Sequence, residues 1–156
     1  MKIDKSWYVR PSGIKNKLTA GGVVIRQKNN KLYLLLIRGT KFSTYGLPKG
    51  SVEKTENLVE CAARETGEES GISKLNLITK LGVTERLMFE KTFWSVCHFY
   101  LFTTKQISGK QDLQEDEDFV SEWFEINKLP EFFWPEQKEI IIKNMDKIKN
   151  SIRNSK

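Results

Sequence analysis

Residues 50–72 carry the sequence GSVEKTENLVECAARETGEESGI, in which glycines, glutamates and one arginine stand at characteristic intervals. The positions that set the pattern are Gly50, Glu56, Arg64, Glu65, Glu68, Glu69 and Gly71. At average amino-acid frequencies this set matches a given starting position by chance with a probability on the order of 10⁻⁸. The spacing therefore indicates a functional segment, and the rest of the chain is interpreted around it.

The second half of this segment is predicted to form a helix from Glu56 to Ser70. Asn57 is a favourable N-cap residue, and apolar side chains recur after it at helical spacing. Gly71 is typical of a C-terminal stop, because glycine adopts the left-handed conformation readily. A helix at this place would carry most of the charged positions of the pattern.

Three glutamates, Glu65, Glu68 and Glu69, stand at i, i+3 and i+4 and would project from one face of that helix. Their mutual repulsion would be relieved by a cation, and all-oxygen ligands favour Mg²⁺, or Mn²⁺, over zinc. The alternative is a solvated acidic face. Residues 50–72 have a net charge of −4 in a chain of net charge +6. A local acidic cluster in a basic protein suits a metal that meets a phosphorylated substrate.

Neighbouring residues are candidates for supporting roles. Gly50 lets the backbone approach a ligand closely, and its carbonyl could join the metal shell. Arg64 either binds phosphate or pairs with glutamates, and we favour pairing because its place in the helix should turn it away from the metal face. Glu53 and Glu56 are candidates for metal support or for salt bridges. Lys49 is either a phosphate ligand or a surface lysine.

The pattern Gly50-x5-Glu56-x7-Arg64-Glu65-Thr66-x-Glu68-Glu69-x-Gly71-Ile72 resembles a complete Nudix box. This box is the signature of Mg²⁺-dependent hydrolases that cleave a nucleoside diphosphate linked to another moiety. Residues 19–25 resemble the first strand of that fold, residues 47–50 the entry to its catalytic loop, and residues 123–125 its last strand. The resemblance covers residues 18–129 and implies an α/β/α sandwich with a mixed β-sheet between helices.

The resemblance also implies site roles. Glu65, Glu68 and Glu69 would be the metal-binding catalytic residues, with the Gly50 carbonyl and Glu53 assisting. The implied reaction is substitution at phosphorus by water, in which metal ions neutralise the diphosphate and lower the pKa of a bound water.

The general base varies within the family between a glutamate of the helix and one in a loop before the last strand. The loop candidates here lie in residues 114–118. Glu117, six residues before Trp123, is the one we choose by distance.

The substrate is less defined than the reaction. Residues 47–50 together with Glu117 are most similar to the dinucleoside-polyphosphate branch, typified by diadenosine tetraphosphate hydrolases. Nucleoside triphosphate hydrolases of the MutT type, ADP-ribose hydrolases and diphosphoinositol polyphosphate hydrolases share the box, and RNA 5′-end pyrophosphohydrolysis suits the basic charge. An alternative of another class is a non-catalytic module that senses a nucleotide or RNA, although no glutamate of the box is degenerate.

The chain as a whole is expected to be one domain over residues 1–156, and a monomer or homodimer. Its expected partner is a small phosphorylated molecule of the nucleotide type. There is no apolar run of membrane-spanning length and no secretory leader in residues 1–10, so we expect no membrane partner and a cytoplasmic location. Cys61 and Cys97 are interpreted as buried thiols rather than a disulfide.

Hydrophobic periodicity predicts strands at Ala20–Ile25, Leu32–Ile37, Leu75–Leu81, Phe93–Phe102 and Val120–Glu125, a hairpin turn at Asn29–Asn30, and a second helix at Pro135–Ile152. Residues 105–118 are polar enough to form a mobile loop.

His98 is expected to be an ordinary strand histidine. Residues 132–134, Phe-Phe-Trp, either anchor the last helix or stack on a nucleobase. The basic C-terminus (Lys143, Lys147, Lys149, Arg153, Lys156) is either a solvated face or an RNA contact.

Overall fold

The computed structural model of the protein describes residues 2–154, so the predictions that involve Met1 and Lys156 lie outside the described residues. The elements are a short 3-10 turn at Lys5–Tyr8, then β1 (Asn16–Lys28), β2 (Lys31–Gly39), β3 (Lys49–Ser51), α1 (Leu58–Ser70), β4 (Asn76–Leu87), β5 (Trp94–Thr103), β6 (Phe119–Glu125), α2 (Pro135–Lys143) and α3 (Met145–Asn154). None of the helices in this part of the chain has both the length and the apolar character needed to cross a membrane.

The strands form one six-stranded mixed sheet in the order β4-β5-β1-β2-β6, and β3 pairs with the start of β1. The β1–β5 pair is parallel and the other pairs are antiparallel. β1 is central because residues 20–25 are apolar or small and are buried on both faces of the sheet. The predicted mixed sheet between helices is therefore confirmed.

Alternating residues of the strands feed two separate cores. On one face, Ala20 and Val24 pack with Cys61 and Ala62 of α1. On the other, Val23 and Ile25 belong to a cluster that includes α2 and α3. Because the side-chain period of a strand is two, the central strand can hold helices on both faces at once. Both cysteines are free and buried, as predicted.

Helix α1 begins at Leu58, two residues later than predicted. Asn57 is its N-cap: its side chain accepts a hydrogen bond from the Glu60 backbone N–H at 2.8 Å, and the Glu60 carboxylate accepts one from the Asn57 N–H at 3.0 Å. This reciprocal capping box fixes the start of the helix, which leaves Glu56 outside it. Gly71, at a φ of +82°, ends the helix as predicted.

The predicted helix over residues 135–152 is broken in two at Asn144. The Asn144 side chain donates to the Ile140 carbonyl at 2.8 Å, competing with the backbone for an acceptor, and α3 starts again after it. The apolar side chains of the two helices still line one stripe that faces the core: Ile141, Ile148 and Ile152 are buried, and Met145 is partly buried.

Residues 105–118, expected to form a mobile loop, are tied to the end of α1. The Gln111 amide donates to the carbonyls of Glu69 and Phe119, at 2.6 and 2.9 Å, and the Asp112 N–H donates to the Glu68 carbonyl at 2.9 Å. The bonds to Glu68 and Glu69 satisfy carbonyls that the helix end leaves without intrahelical partners. The segment, which joins β5 to β6, is therefore held against the end of α1.

Replacing Asn57 with alanine should lower the free energy of unfolding by about 1 kcal/mol, because the capping bond to Glu60 is lost. In a domain of this size that corresponds to a fall in Tm of about 2–4 °C. Thermal unfolding followed by circular dichroism measures it. Asn150→Ala, on the exposed face of α3, is the matched control and should leave Tm unchanged or slightly higher. Equal losses in the two variants would contradict the cap.

Candidate active site

The site forms where α1 lies against β3. Gly50, in the middle of β3, faces Glu65 of α1 so closely that a Cβ at this position would overlap the Glu65 carboxylate. Because Gly50 has no side chain, the Glu65 carboxylate can lie directly against its backbone. The backbone and the carboxyl group are brought together as the proposed metal shell requires.

Glu69 is the most enclosed of the three helix glutamates, with 5% of its surface exposed. Its Oε1 accepts a hydrogen bond from the Lys49 backbone N–H at 2.8 Å. Burial, followed by repulsion from Glu65, raises the pKa of Glu69 to about 8, although the Lys49 N–H works in the opposite direction. A nearby cation would favour the charged form of this carboxyl group.

Arg64 pairs with glutamates, as favoured from the sequence, but it is not turned away from the acidic face. Its Nη1 donates to Glu65 at 3.0 Å and to Glu68 at 3.1 Å, while its Nη2 donates to Glu56 at 2.7 Å. Glu53 completes the set, 3.6 Å from Nη1. The long arginine side chain reaches groups that its backbone position alone would separate. Glu53 and Glu56 therefore form salt bridges, and a phosphate-binding role for Arg64 stays a prediction.

No group of three or more histidine, cysteine, aspartate or glutamate side chains within residues 2–154 is arranged to hold a metal ion as it stands. The reason lies in the hydrogen bonds: Arg64 draws Glu65 and Glu68 to itself, and the Lys49 N–H holds Glu69. The donor set still fits a hard cation, because it is entirely oxygen and because Gly50 leaves room for the carboxylate beside its backbone.

Glu117, the predicted loop base, lies within electrostatic reach of the helix glutamates. Burial is the main cause of the raised pKa of Glu65 and of Glu69, and the charge of Glu117 adds to it in both cases. Glu117 Oε1 accepts a hydrogen bond from the Gln114 N–H at 2.8 Å. The bonds of Gln111 to α1 and β6 fix the loop that carries it. Its role as base stays a prediction.

A cavity of about 410 Å³ opens beside these groups, with Lys49 and Glu69 in its lining. Its other walls carry the rings Phe42, Tyr45, Phe89, Phe119, Phe133 and Trp134 together with Arg86 and Gln137. Phe42 and Phe89 are each more than half exposed, and both rings lie against Phe133, with centroids 6.2 and 6.0 Å away. Exposed aromatic rings gathered at a concave surface are typical of a binding site.

The sequence predicted only part of this cavity. Phe133 and Trp134 line it, whereas Phe132 is buried in the core. Phe42, Phe89 and Arg86 were missed, because they come from distant segments and no local spacing connects them. His98 is a strand residue, as expected, with its Nδ1 2.7 Å from Lys80 Nζ.

Comparison with known families supplies the decisive observation. A model of the NUDIX domain matches residues 15–143. The chain belongs to the Nudix family. The match spans the acidic helix, the loop that carries Glu117 and all the residues that line the aromatic cavity, so the family predicted from the sequence is confirmed.

Two curated relatives from Saccharomyces cerevisiae, mRNA-decapping enzyme subunit 2 and m7GpppN-mRNA hydrolase, are 26% identical to this Nudix chain over 120 residues. The alignment covers 76% of this chain but 12% of each yeast protein. This chain thus corresponds to a small part of those relatives.

Solved structures share the Nudix fold. A Caenorhabditis elegans Ap4A hydrolase in a binary complex superposes with a TM-score of 0.70 at 19% identity, covering 86% of this chain and 98% of that one. The NUDIX domain of Shewanella oneidensis NrtR, complexed with ADP ribose, gives 0.67 at 18% identity, covering 90% and 94%. A MutT NUDIX hydrolase from Burkholderia pseudomallei gives 0.63 at 21% identity, covering 82% and 97%. The predicted fold class is confirmed, and a Nudix hydrolase is the class of enzyme that the findings support.

Gly50→Ala should reduce activity sharply, because its methyl group would displace the Glu65 carboxylate. Gly67→Ala is the matched control: a Cβ there meets only ordinary contacts, the nearest at 3.7 Å. In the helix interior, alanine should stabilise by up to about 1 kcal/mol. Hydrolysis rates and Tm are to be measured for both variants. Full activity in Gly50→Ala would show that the close approach of Glu65 is not needed.

In EDTA, the stability of the wild type relative to Glu69→Gln should fall as the pH rises from about 5 to about 8. The carboxyl group titrates near 4.3 in an unfolded chain and, at its raised value, near 8 in the folded one. The unfolded state therefore releases its proton first, which favours unfolding. Glutamine does not titrate and should keep the bond to Lys49. Urea unfolding measures this: between pH 5 and pH 8 the free energy of unfolding of the wild type, relative to Glu69→Gln, should fall by more than about 1 kcal/mol. A difference independent of pH would show that Glu69 is not titrating in this range.

Proposed function

We propose that this chain is a Mg²⁺-dependent hydrolase, with Mn²⁺ as an alternative ion, that cleaves a diphosphate linkage in a nucleoside diphosphate joined to another moiety. The preferred substrate in this proposal is a dinucleoside polyphosphate such as diadenosine tetraphosphate. The family and the complete set of glutamates support the reaction. The shape of the site supports the substrate class.

The observation that carries the proposal is that one cavity joins aromatic rings to the acidic helix. Lys49 and Glu69 line the same space as Phe42, Phe89 and Phe133. A nucleobase fits among the rings, since every base has a π-face that stacks on aromatic side chains. A base held there would direct its phosphates towards Lys49 and the helix glutamates. A volume of about 410 Å³ suits one nucleoside and leaves the second half of a dinucleotide in solvent.

The proposed roles follow from this arrangement. Glu65, Glu68 and Glu69 would hold the cation, with the Gly50 carbonyl and Glu53 assisting. When bound, the cation would supply charge neutralisation at the diphosphate and a lowered pKa for water.

The chain's own residues would do the rest. Glu117 would accept the proton of the attacking water as its oxygen bonds to phosphorus and the bridging P–O bond breaks towards the leaving phosphate. The Lys49 ammonium would bind a phosphate oxygen as a point charge. Arg64 would set the positions of Glu65 and Glu68, releasing them to the cation while its bond to Glu56 keeps the loop against α1.

A second candidate substrate is an RNA 5′ end, favoured by the yeast relative named m7GpppN-mRNA hydrolase and by the net charge of +6. The reaction would be the same, with the aromatic cavity holding the terminal base. The expectations of a single domain over residues 1–156, of a monomer or homodimer and of a cytoplasmic location stay predictions.

The test is a hydrolysis assay with Mg²⁺ on diadenosine tetraphosphate, nucleoside triphosphates, ADP-ribose, diphosphoinositol compounds and capped RNA, with products separated by chromatography. We expect the tetraphosphate to yield ATP and AMP faster than the others react. Glu68→Gln should lower the rate more than about 100-fold, since losing even a group that only supports a metal ligand costs 10–100-fold. Its Tm should change little.

Glu115→Gln, an exposed glutamate of the Glu117 loop, is the control and should keep full activity. Faster cleavage of another compound would contradict the proposed substrate but support the proposed reaction. Cleavage of none would favour a nucleotide-binding module, and an active Glu68→Gln would remove this residue from the metal site.

A further inference from the structure

The N-terminal segment before the matched family region packs behind one wall of the aromatic cavity. Trp7, 5% exposed, packs with Leu87 and Trp94 in a core cluster of its own. Its ring stacks on Phe89, with centroids 6.2 Å apart, and meets Trp134 edge-on at 5.5 Å. Both of these rings line the cavity. The segment therefore supports the cavity wall from outside the matched family region, which starts at residue 15.

A partly buried chain of hydrogen bonds leads from this segment to Arg86. The Tyr8 hydroxyl donates to Glu136 Oε1 at 2.6 Å, and Arg86 Nε donates to Glu136 Oε2 at 2.7 Å. Arg86 Nη1 donates to the Leu87 carbonyl at 3.1 Å. Burial and the Glu136 carboxylate raise the pKa of Tyr8, so its hydroxyl keeps the proton that it donates. Both oxygens of Glu136 are thus engaged, one by each partner.

The guanidinium is further fixed by Trp134, whose ring lies 3.3 Å below it. Arginine stacks well on an aromatic face because its guanidinium is planar and weakly hydrated. With Nε and Nη1 engaged and one face covered, Arg86 has a single orientation.

One nitrogen of this group is left for a ligand. Arg86 Nη2 has no hydrogen-bond or ion-pair partner among the residues that the structure describes. Within that same part of the chain, no fully buried side-chain nitrogen or oxygen lacks a partner, so Nη2 must be accessible. Because Arg86 lines the cavity, a ligand would reach Nη2 from the cavity. Gln137 also lines it, and the Gln137 Oε1 accepts a hydrogen bond from the Leu47 N–H at 2.9 Å.

We propose that Arg86 is a ligand-binding residue that donates a hydrogen bond to a ring acceptor of the nucleobase, and that Tyr8 and Glu136 are the positioning residues that aim it. Purines offer a ring acceptor at N7, and guanine adds an exocyclic acceptor, O6, beside it. This inference rests on the proposed function in placing a nucleotide in the cavity. It adds the determinant of base recognition, which lies partly in the N-terminal segment.

The test is a binding experiment that needs no turnover. Isothermal titration without added metal compares adenosine and guanosine 5′-monophosphates with ribose 5-phosphate, which has the phosphate but no base. At least one nucleotide should bind the wild type more tightly than ribose 5-phosphate. Arg86→Lys should weaken that nucleotide about 10-fold, the usual effect of losing a hydrogen bond to a charged group, and leave ribose 5-phosphate unchanged.

Tyr8→Phe tests the positioning chain with a smaller change, because it removes one oxygen and keeps the ring. It should weaken nucleotide binding by a smaller factor than Arg86→Lys. The double variant should bind no more weakly than Arg86→Lys alone, since Tyr8 acts only through Arg86. Tyr33→Phe, on β2 outside the cavity, is the control and should bind like the wild type. Tm and near-ultraviolet circular dichroism verify folding.

Three outcomes would overturn the proposal. Equal weakening of nucleotide and ribose 5-phosphate by Arg86→Lys would make Arg86 a phosphate ligand. Additive losses in the double variant would make Tyr8 merely structural. Equal affinity of the wild type for ribose 5-phosphate and both nucleotides would remove the base from the cavity. None of these depends on hydrolysis, so failure of the proposed function would appear separately, as absent cleavage with base binding retained.

Discussion

The close approach of α1 to the sheet is the constraint on which the site depends. Two glycines allow it: a side chain at Gly22 of β1 would meet the Thr66 hydroxyl, and one at Gly50 of β3 would overlap the Glu65 carboxylate. The approach buries carboxylates that a surface helix would leave in water. Burial makes them expensive to charge in isolation and correspondingly responsive to a cation. The same close approach that disfavours the charged form of these carboxylates places them where the proposed reaction needs them.

Arg64 offsets part of the repulsion between these carboxylates. One guanidinium lies between carboxylates of the helix and of the preceding loop, with Glu56 at 2.7 Å and Glu65 and Glu68 near 3 Å. Its hydrogen bonds hold the pKa of Glu56 down, to about 2, so that this glutamate stays charged. Glu69 is not among the partners of this arginine and has the strongly raised pKa. The network thus stabilises the charge of Glu56, whereas burial still raises the pKa of Glu65 and, most strongly, that of Glu69, whose charged form a cation would favour.

The aromatic cavity follows a different logic from the acidic helix. The helix glutamates stand within five residues of one another, whereas the rings and donors of the cavity come from the β2–β3 connection, the end of β4, the β4–β5 turn and the start of α2. Such a surface can vary without disturbing the carboxylates. This separation explains why one fold can serve several substrates: chemistry is fixed on α1 while recognition is distributed among segments that meet only after folding.

The sequence alone determined the acidic helix, its C-terminal stop at Gly71, the central strands and the family, because each depends on short-range spacing or on a period of two. It missed two local side-chain contacts that set the ends of helices, and it could not show contacts between distant segments. Glu56 lies outside the helix because the box formed by Asn57 and Glu60 starts it later, and Asn144 breaks the last helix through its own side chain. Only the tertiary structure revealed that Arg64 occupies the acidic face and that Tyr8 reaches Arg86 through Glu136. Those contacts join residues up to 128 positions apart, and no local pattern encodes a meeting that the sheet and its two helical layers bring about.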